Sequence, residues 1–219
     1  MPDSRGRGTR DGANEGARLA GRGEQQDGKN EERELWFLNS VDATPRLLDL
    51  ERIMADIPWP WPDEHYDSFV FRAALEVIES RRPRVLYVNF GETDEWAHAR
   101  RYDNYLDSAQ RVDRWTRELW EKMQSIEQYR GTTTLIITTD HGRGMTPQDW
   151  TSHGEKIPNA GEWWCAALGP DTPALGARKD CAPVTQAQIA ATIARALGED
   201  FRAAVPEAAE PLADVLTPR

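Results

Sequence analysis

Two uninterrupted apolar runs, Val85-Leu86-Tyr87-Val88-Asn89-Phe90 and Thr133-Thr134-Leu135-Ile136-Ile137-Thr138, each follow a stretch with helical periodicity. Runs without polar alternation suit strands buried on both faces, and such burial needs a layer on either side. Between them Tyr102, Tyr105, Leu106, Ala109, Val112, Leu119, Trp120 and Met123 recur three or four apart, the stripe of a long amphipathic helix. Upstream, Leu47 to Ile57 reads as a short helix stopped by Pro58-Trp59-Pro60-Trp61-Pro62. Asp67 offers an N-cap for a helix through Arg81 that carries Phe71, Ala74, Leu75 and Ile78 and ends before Pro83. Downstream, Trp163 to Leu168 reads as a third strand. Thr185 and Gln188 have capping-box spacing at the head of a last helix, which runs to Leu197 and is closed by Gly198. Strands alternating with helices predict an α/β fold, a mostly parallel sheet with helices on both faces. Val85–Phe90 and Thr134–Thr139 are expected to be neighbouring or near-neighbouring parallel strands ending at one edge.

Residues 1–33 have a different character. They are rich in Gly, Arg, Asp, Glu and Asn and contain no aromatic residue, so they cannot bury enough surface to offset their ordering entropy. The expected organisation is a disordered tail over 1–33 and one α/β domain over 34–219. The net charge of −10 argues against nucleic acid and anionic membrane as partners, and an anionic ligand would need local positive charge. No run of 18 apolar residues is present, so no membrane span is expected, and the N-terminus lacks the apolar stretch of a secretory signal. Cys165 and Cys181 are too few for a disulfide framework and are expected to be free, buried thiols. Cys181-Ala-Pro-Val-Thr half matches a sulfatase nucleophile motif, but it lacks the Arg and follows the candidate ligands instead of preceding them.

Three of the four histidines sit in chemically suggestive places. Asp94 and His98, in Gly91-Glu92-Thr93-Asp94-Glu95-Trp96-Ala97-His98, follow the first run and are four apart, so one helical turn puts carboxylate and imidazole on the same side. Asp140-His141-Gly142 follows the second run, and Ser152-His153-Gly154 lies in a loop rich in Gly, Thr and Asp. In open α/β sheets ligands bind beyond the carboxyl ends of the strands, which is where two of the three clusters fall. Taken singly, each has a plain alternative: an exposed helix face, a turn capped by its Asp, an ordinary loop. Their joint occurrence in this order favours a metal site, and mixed oxygen and imidazole ligands suit Zn²⁺, with Mn²⁺ as the alternative. His65, in a polar stretch, keeps the plain reading.

The order Asp-x-x-x-His, then Thr138-Thr139-Asp140-His141-Gly142, then a His-Gly loop resembles the C-terminal half of the alkaline-phosphatase superfamily. That group takes in phosphatases, nucleotide phosphodiesterases, sulfatases and metal-dependent phosphoglycerate mutases. Leu168-Gly169-Pro170, followed by Ile189-Ala190-Ala191-Thr192-Ile193, is similar too, and the resemblance covers about 84–198. It implies an alkaline-phosphatase-like fold with two divalent ions, one held by Asp94, His98 and His153, the other by Asp140 and His141. Such a pair clamps the attacking and leaving oxygens of a phosphate or sulfate ester. Arg143 becomes a candidate for meeting the anionic substrate. Asn89 stands where alkaline phosphatases proper carry a Glu for a third ion, which speaks against a three-metal enzyme. The family's nucleophile and its remaining Asp ligand lie N-terminal to these motifs, and nothing in 1–83 matches them. Ser40 and Thr44 lack the expected surroundings. The resemblance therefore implies an N-terminally truncated member that, alone, turns over aryl phosphates, phosphodiesters and sulfates slowly or not at all. A noncatalytic metal-binding or interaction remnant of such an enzyme is the alternative.

Overall fold

The computed structural model describes residues 43–58, 60–61, 64–178 and 181–217 and divides into two compact units between Gly91 and Glu92. The expected tail over 1–33, the start of order near Leu35, and Ser40 lie outside the described residues.

In the first unit, α1 (Pro45–Ala55) starts where Thr44 turns its hydroxyl back to accept from Leu47 N at 3.3 Å, with Pro45 in the first turn. Thr44 is thus a helix cap. Helix α2 (Asp67–Ser80) packs against α1, with Leu47, Met54 and Ala73 forming a small core flanked by Leu50 and Phe69. Asp67 differs from the expected N-cap. It is the first helical residue, fully buried, and its carboxylate accepts from Gly91 N at 2.8 Å. Val85–Phe90 also departs from expectation. It is extended, but only Val88 makes a bridge, and Val85 and Tyr87 are 49% and 57% exposed. Apolar content marks a run as able to be buried, but burial itself depends on what packs over it.

The second unit opens with α3 (Glu92–His98), which packs on the long α4 (Tyr102–Ser125). The face that α4 buries is rotated from the one its apolar residues suggest. Ser108, Trp115 and Leu119 are buried, whereas Tyr102 and Leu106 are exposed. The cause is polar: Ser108 and Arg111 turn toward the buried Glu92 of α3. Strands β1 (Leu135–Thr138) and β2 (Cys165–Leu168) form a two-stranded ladder, Leu135 opposite Leu168 and Thr138 opposite Cys165. The ladder is antiparallel. Among the described residues the expected parallel neighbour of Thr134–Thr139, Val85–Phe90, is not seen paired with it. A parallel neighbour needs a crossover, usually a helix, and the segment between β1 and β2 holds none. Among the described residues no second sheet forms, and these residues combine helices with this one ladder.

Helix α5 (Gln188–Ala196) starts later than the expected capping box, with Ala187 as an N-cap that makes no side-chain bond. Only half of the box forms, Gln188 Oε1 accepting from Thr185 N at 2.9 Å, and Gly198 closes the helix with a positive φ of 84°. The short α6 (Phe201–Ala204) packs on it. Both cysteines are free thiols; Cys165 is half-buried, and Cys181 is exposed where burial was expected. Among the described residues no helix is long and apolar enough to cross a membrane.

Thr192 fastens the C-terminal segment. Its buried hydroxyl donates to Gln188 O at 2.7 Å and accepts from Leu212 N at 2.8 Å, with Leu212 itself buried. Thr192→Val keeps the shape but leaves that backbone N–H without its acceptor, a loss of about 1–3 kcal/mol. Denaturant unfolding is expected to show a midpoint lowered accordingly, with an unchanged slope.

Candidate metal centre

Helix α3 is short, yet its orientation is tightly fixed. Glu92, its first residue, is buried and accepts from Arg111 Nη2, from Trp96 Nε1 at 3.1 Å and from Ser108 Oγ at 3.4 Å. A buried carboxylate with several donors is held firmly, and leaving any of those partners unmet is costly. Sequence reading passed Glu92 over because its neighbour Asp94 carried the motif. The usable signal was an acidic residue at a helix start followed by Ser108 and Arg111 one turn apart on the next helix. One turn along α3, Asp94 and His98 face the same way, His98 Nε2 lying 3.3 Å from Asp94 Oδ2.

The other imidazoles arrive from the segment after β1. Gln186 Nε2 donates to the carbonyls of Thr139 (3.0 Å) and Asp140, fixing the strand end. Beyond it the chain folds back on itself. Gly142 N donates to Ala160 O at 2.9 Å and Gly144 N to Ser152 O at 3.0 Å. A β-carbon at Gly142 would lie 2.2 Å from Asn159 O, and one at Gly144 would lie 2.3 Å from Asp149 O. Only glycine permits these approaches, and they bring Ser152-His153 beside His141.

Three atoms then form a triangle. Asp94 Oδ2 is 3.3 Å from His98 Nε2 and 3.5 Å from His153 Nε2, and the two imidazole nitrogens are 2.9 Å apart. A tetrahedral ion bound at about 2.0–2.2 Å requires ligand separations of about 3.3–3.6 Å, which the two edges from Asp94 meet while the His98–His153 edge is shorter. A second set, Asp94, His141 and His153, has ligand atoms within 4.8 Å of one another. The two sets share Asp94 and His153. His141 lies toward the other carboxylate oxygen, Nε2 to Asp94 Oδ1 being 3.9 Å.

His141 carries a distinct mark of ligand chemistry. Its Nδ1 lies 2.8 Å from Gly142 O, so Nδ1 carries a proton, and Nε2 is the nitrogen turned inward and left for a ligand. That Nε2 is buried with no hydrogen-bond partner among the described residues. An imidazole locked by a carbonyl, with its other nitrogen orphaned beside carboxylates, fits a divalent cation. The rings of His141 and His153 stack, centroids 3.8 Å apart and 12° from parallel.

Asp140 joins less closely. Its side chain is 76% exposed; Oδ1 accepts from His141 N at 3.0 Å, and Oδ2 lies 3.6 Å from His141 Nε2. Arg143 is drawn inward: Nη2 donates to Asp94 Oδ1, Nη1 donates to Trp150 O at 3.0 Å, and the guanidinium carbon lies 5.6 Å from the Tyr105 ring centroid. Burial holds the His153 imidazole below its ordinary range, an effect Asp94 opposes and the neighbouring His141, His98 and Arg143 charges reinforce. His65 belongs to the other unit.

Residues 58–198, more than half of the chain, match the family model described as the Metalloenzyme superfamily, part of the alkaline-phosphatase-like group. No curated protein and no solved structure matches the chain.

Two outcomes follow from this geometry. Glu92→Ala strips Arg111 of its buried partner and is expected to cost about 3 kcal/mol, the lower end for a broken buried pair because Arg111 is 33% exposed. Chemical denaturation measures it. For His153 the folded protein holds the group below its ordinary value of 6.5, so the unfolded chain binds more protons. Metal-free protein is therefore expected to keep this contribution above pH 6.5 and lose it as pH falls from there through the folded value. His153→Gln should flatten that part of the stability–pH curve.

Proposed function

Because the chain belongs to the metalloenzyme superfamily, we propose that it is a metal-dependent hydrolase or transferase of phosphate or sulfate esters whose ions are held by Asp94, His98, His153, His141 and Asp140. The observation that carries this is the orphaned Nε2 of His141 beside the triangle of Asp94 Oδ2, His98 Nε2 and His153 Nε2. Asp94, His98 and His153 form the three-ligand set with a fourth position open, the arrangement of a catalytic zinc site. His141 and Asp140 are the second pair, and Zn²⁺ suits this donor set best, with Mn²⁺ next. An alkaline-phosphatase-like fold with a larger, mostly parallel sheet is the frame that the family implies.

When bound, divalent ions supply Lewis acidity to a phosphoryl or sulfuryl oxygen. The chain's own residues do the holding. Asp94 supplies negative charge at the centre, His141 is kept in one tautomer by Gly142, and Asp140 stays at the exposed side where a small anionic ester enters. No residue here is assigned as the nucleophile. The net charge of −10 supports a small-molecule substrate over nucleic acid or a membrane surface, since the attraction for an anion is then confined to the ions.

The test is metal content and anion binding together. Purified protein is expected to take up Zn²⁺ or Mn²⁺, and His153→Ala and Asp94→Ala to lose about tenfold or more in affinity, as ligand-shell losses do. Inorganic phosphate or sulfate should raise the melting temperature of the metal-loaded wild type and leave Asp94→Ala unmoved. Equal, near-zero metal in wild type and variants sinks the reading.

A further inference from the structure

The sequence leaves Arg143 either as a residue that meets an anionic substrate or as an exposed loop Arg, yet both of its terminal nitrogens are spent inside the protein. Nη2 donates to Asp94 Oδ1 and Nη1 to Trp150 O at 3.0 Å, the guanidinium lies against the Tyr105 ring, and the side chain is 16% exposed. The Tyr105 ring is itself braced, 6.1 Å from that of Trp150, and Tyr102 packs edge-on to Trp150 at 5.2 Å. A planar fork between a carbonyl, a carboxylate oxygen and an aromatic face has little freedom. Asp94 is therefore held by one oxygen, and only Oδ2 is turned toward His98 and His153.

We propose that Arg143 is a positioning residue that makes Asp94 a one-oxygen metal ligand, occupying Oδ1 so that the ion meets Oδ2 alone. This rests on the assignment of Asp94, His98 and His153 as ligands. Two effects of the guanidinium oppose each other. Its charge repels a divalent cation, so charge alone predicts tighter binding once it is removed. Its grip spares the ion the cost of ordering the carboxylate and keeps the second oxygen out of the coordination shell, so positioning predicts weaker binding and a changed geometry. The contacts favour positioning, because a buried, three-point hold fixes the carboxylate whether or not an ion is present. Outer partners of metal ligands are typically worth about 10–100-fold in affinity.

The experiment measures Zn²⁺ affinity by chelator competition and the visible absorption of the Co²⁺-substituted protein, in wild type, Arg143→Gln, Arg143→Met, Arg143→Lys and Asp94→Ala. Melting of each metal-free protein controls for folding. Arg143→Gln is expected to bind Zn²⁺ about 10–100-fold more weakly. Its Co²⁺ absorption should fall as Asp94 swings to two-oxygen coordination and coordination number rises, and Arg143→Lys should restore part of both. Arg143→Met, which keeps an apolar stem against Tyr105, serves if the Gln variant does not fold. Unchanged or tighter Zn²⁺ binding with an unchanged Co²⁺ spectrum in the folded Gln or Met variant overturns the proposal while wild type still binds and Asp94→Ala does not. Full binding in Asp94→Ala, or none in wild type, overturns the ligand assignment and this proposal with it.

Discussion

The Asp94 carboxylate sits where three imidazoles and a guanidinium meet, and the candidate site depends on how that crowding is made tolerable. Oδ2 faces His98 and His153, whose Nε2 atoms are only 2.9 Å apart; Oδ1 faces Arg143 and, at 3.9 Å, His141. Two imidazole lone pairs at that separation repel unless a proton or a cation lies between them. One neutral ring donating its Nε2–H to the lone pair of the other is one solution. A divalent cation answers the same need and likewise keeps both rings neutral, which is the form in which imidazole is a ligand.

Such a centre is only as good as the backbone that presents it, and here two different devices are used. On the α3 side the device is electrostatic. The buried Glu92, gripped by Arg111, Ser108 and Trp96, sets the rotation of a seven-residue helix that is too short to be stable alone. On the His141 and His153 side the device is steric. Gly142 and Gly144 let the 146–162 loop lie directly against the strand-end segment, where any side chain would strike a carbonyl. The first device makes α4 turn a polar pair inward at the expense of its apolar stripe, and Tyr102 and Leu106 are left outside as a result. Site geometry has here overridden the hydrophobic pattern that would otherwise have oriented the helix.

That override explains what the sequence makes legible and what it does not. Asp94 and His98 are readable because a single helical turn links them, and Asp140-His141 because a strand end must release them. Helix bounds for α1, α2 and α4, and the end of α5, follow closely from prolines, caps and periodicity, since those signals are local. Strand partners are not local. Nothing in Leu135–Thr138 or Cys165–Leu168 states which direction its neighbour runs, and the intervening helix-free segment returns the chain antiparallel. Val85–Phe90 has the composition of a buried strand, yet Tyr87 is more than half exposed, because burial is a property of the neighbours. Glu92 and Arg143 were the least legible. Each acts through a residue 19 or 49 positions away, and no short motif spans that distance.

The two oxygens of Asp94 also divide the site into a closed side and an open one. Around Oδ1 the guanidinium, 16% exposed, lies against Tyr105 and donates to Trp150 O. Around Oδ2 the neighbouring His98 is exposed. On the proposed function a phosphate or sulfate ester would meet the exposed side chains of His98 and Asp140. This placement has an electrostatic consequence. Arg143 neutralises the carboxylate from behind, so the charge that a bound divalent ion presents to the ester is less reduced by its own ligand than it would be beside an unpaired Asp. On the proposal, the contact that would limit Asp94 to one coordinating oxygen would also leave more of a bound cation's charge for the substrate, so one half-buried ion pair would bear on both coordination and anion affinity.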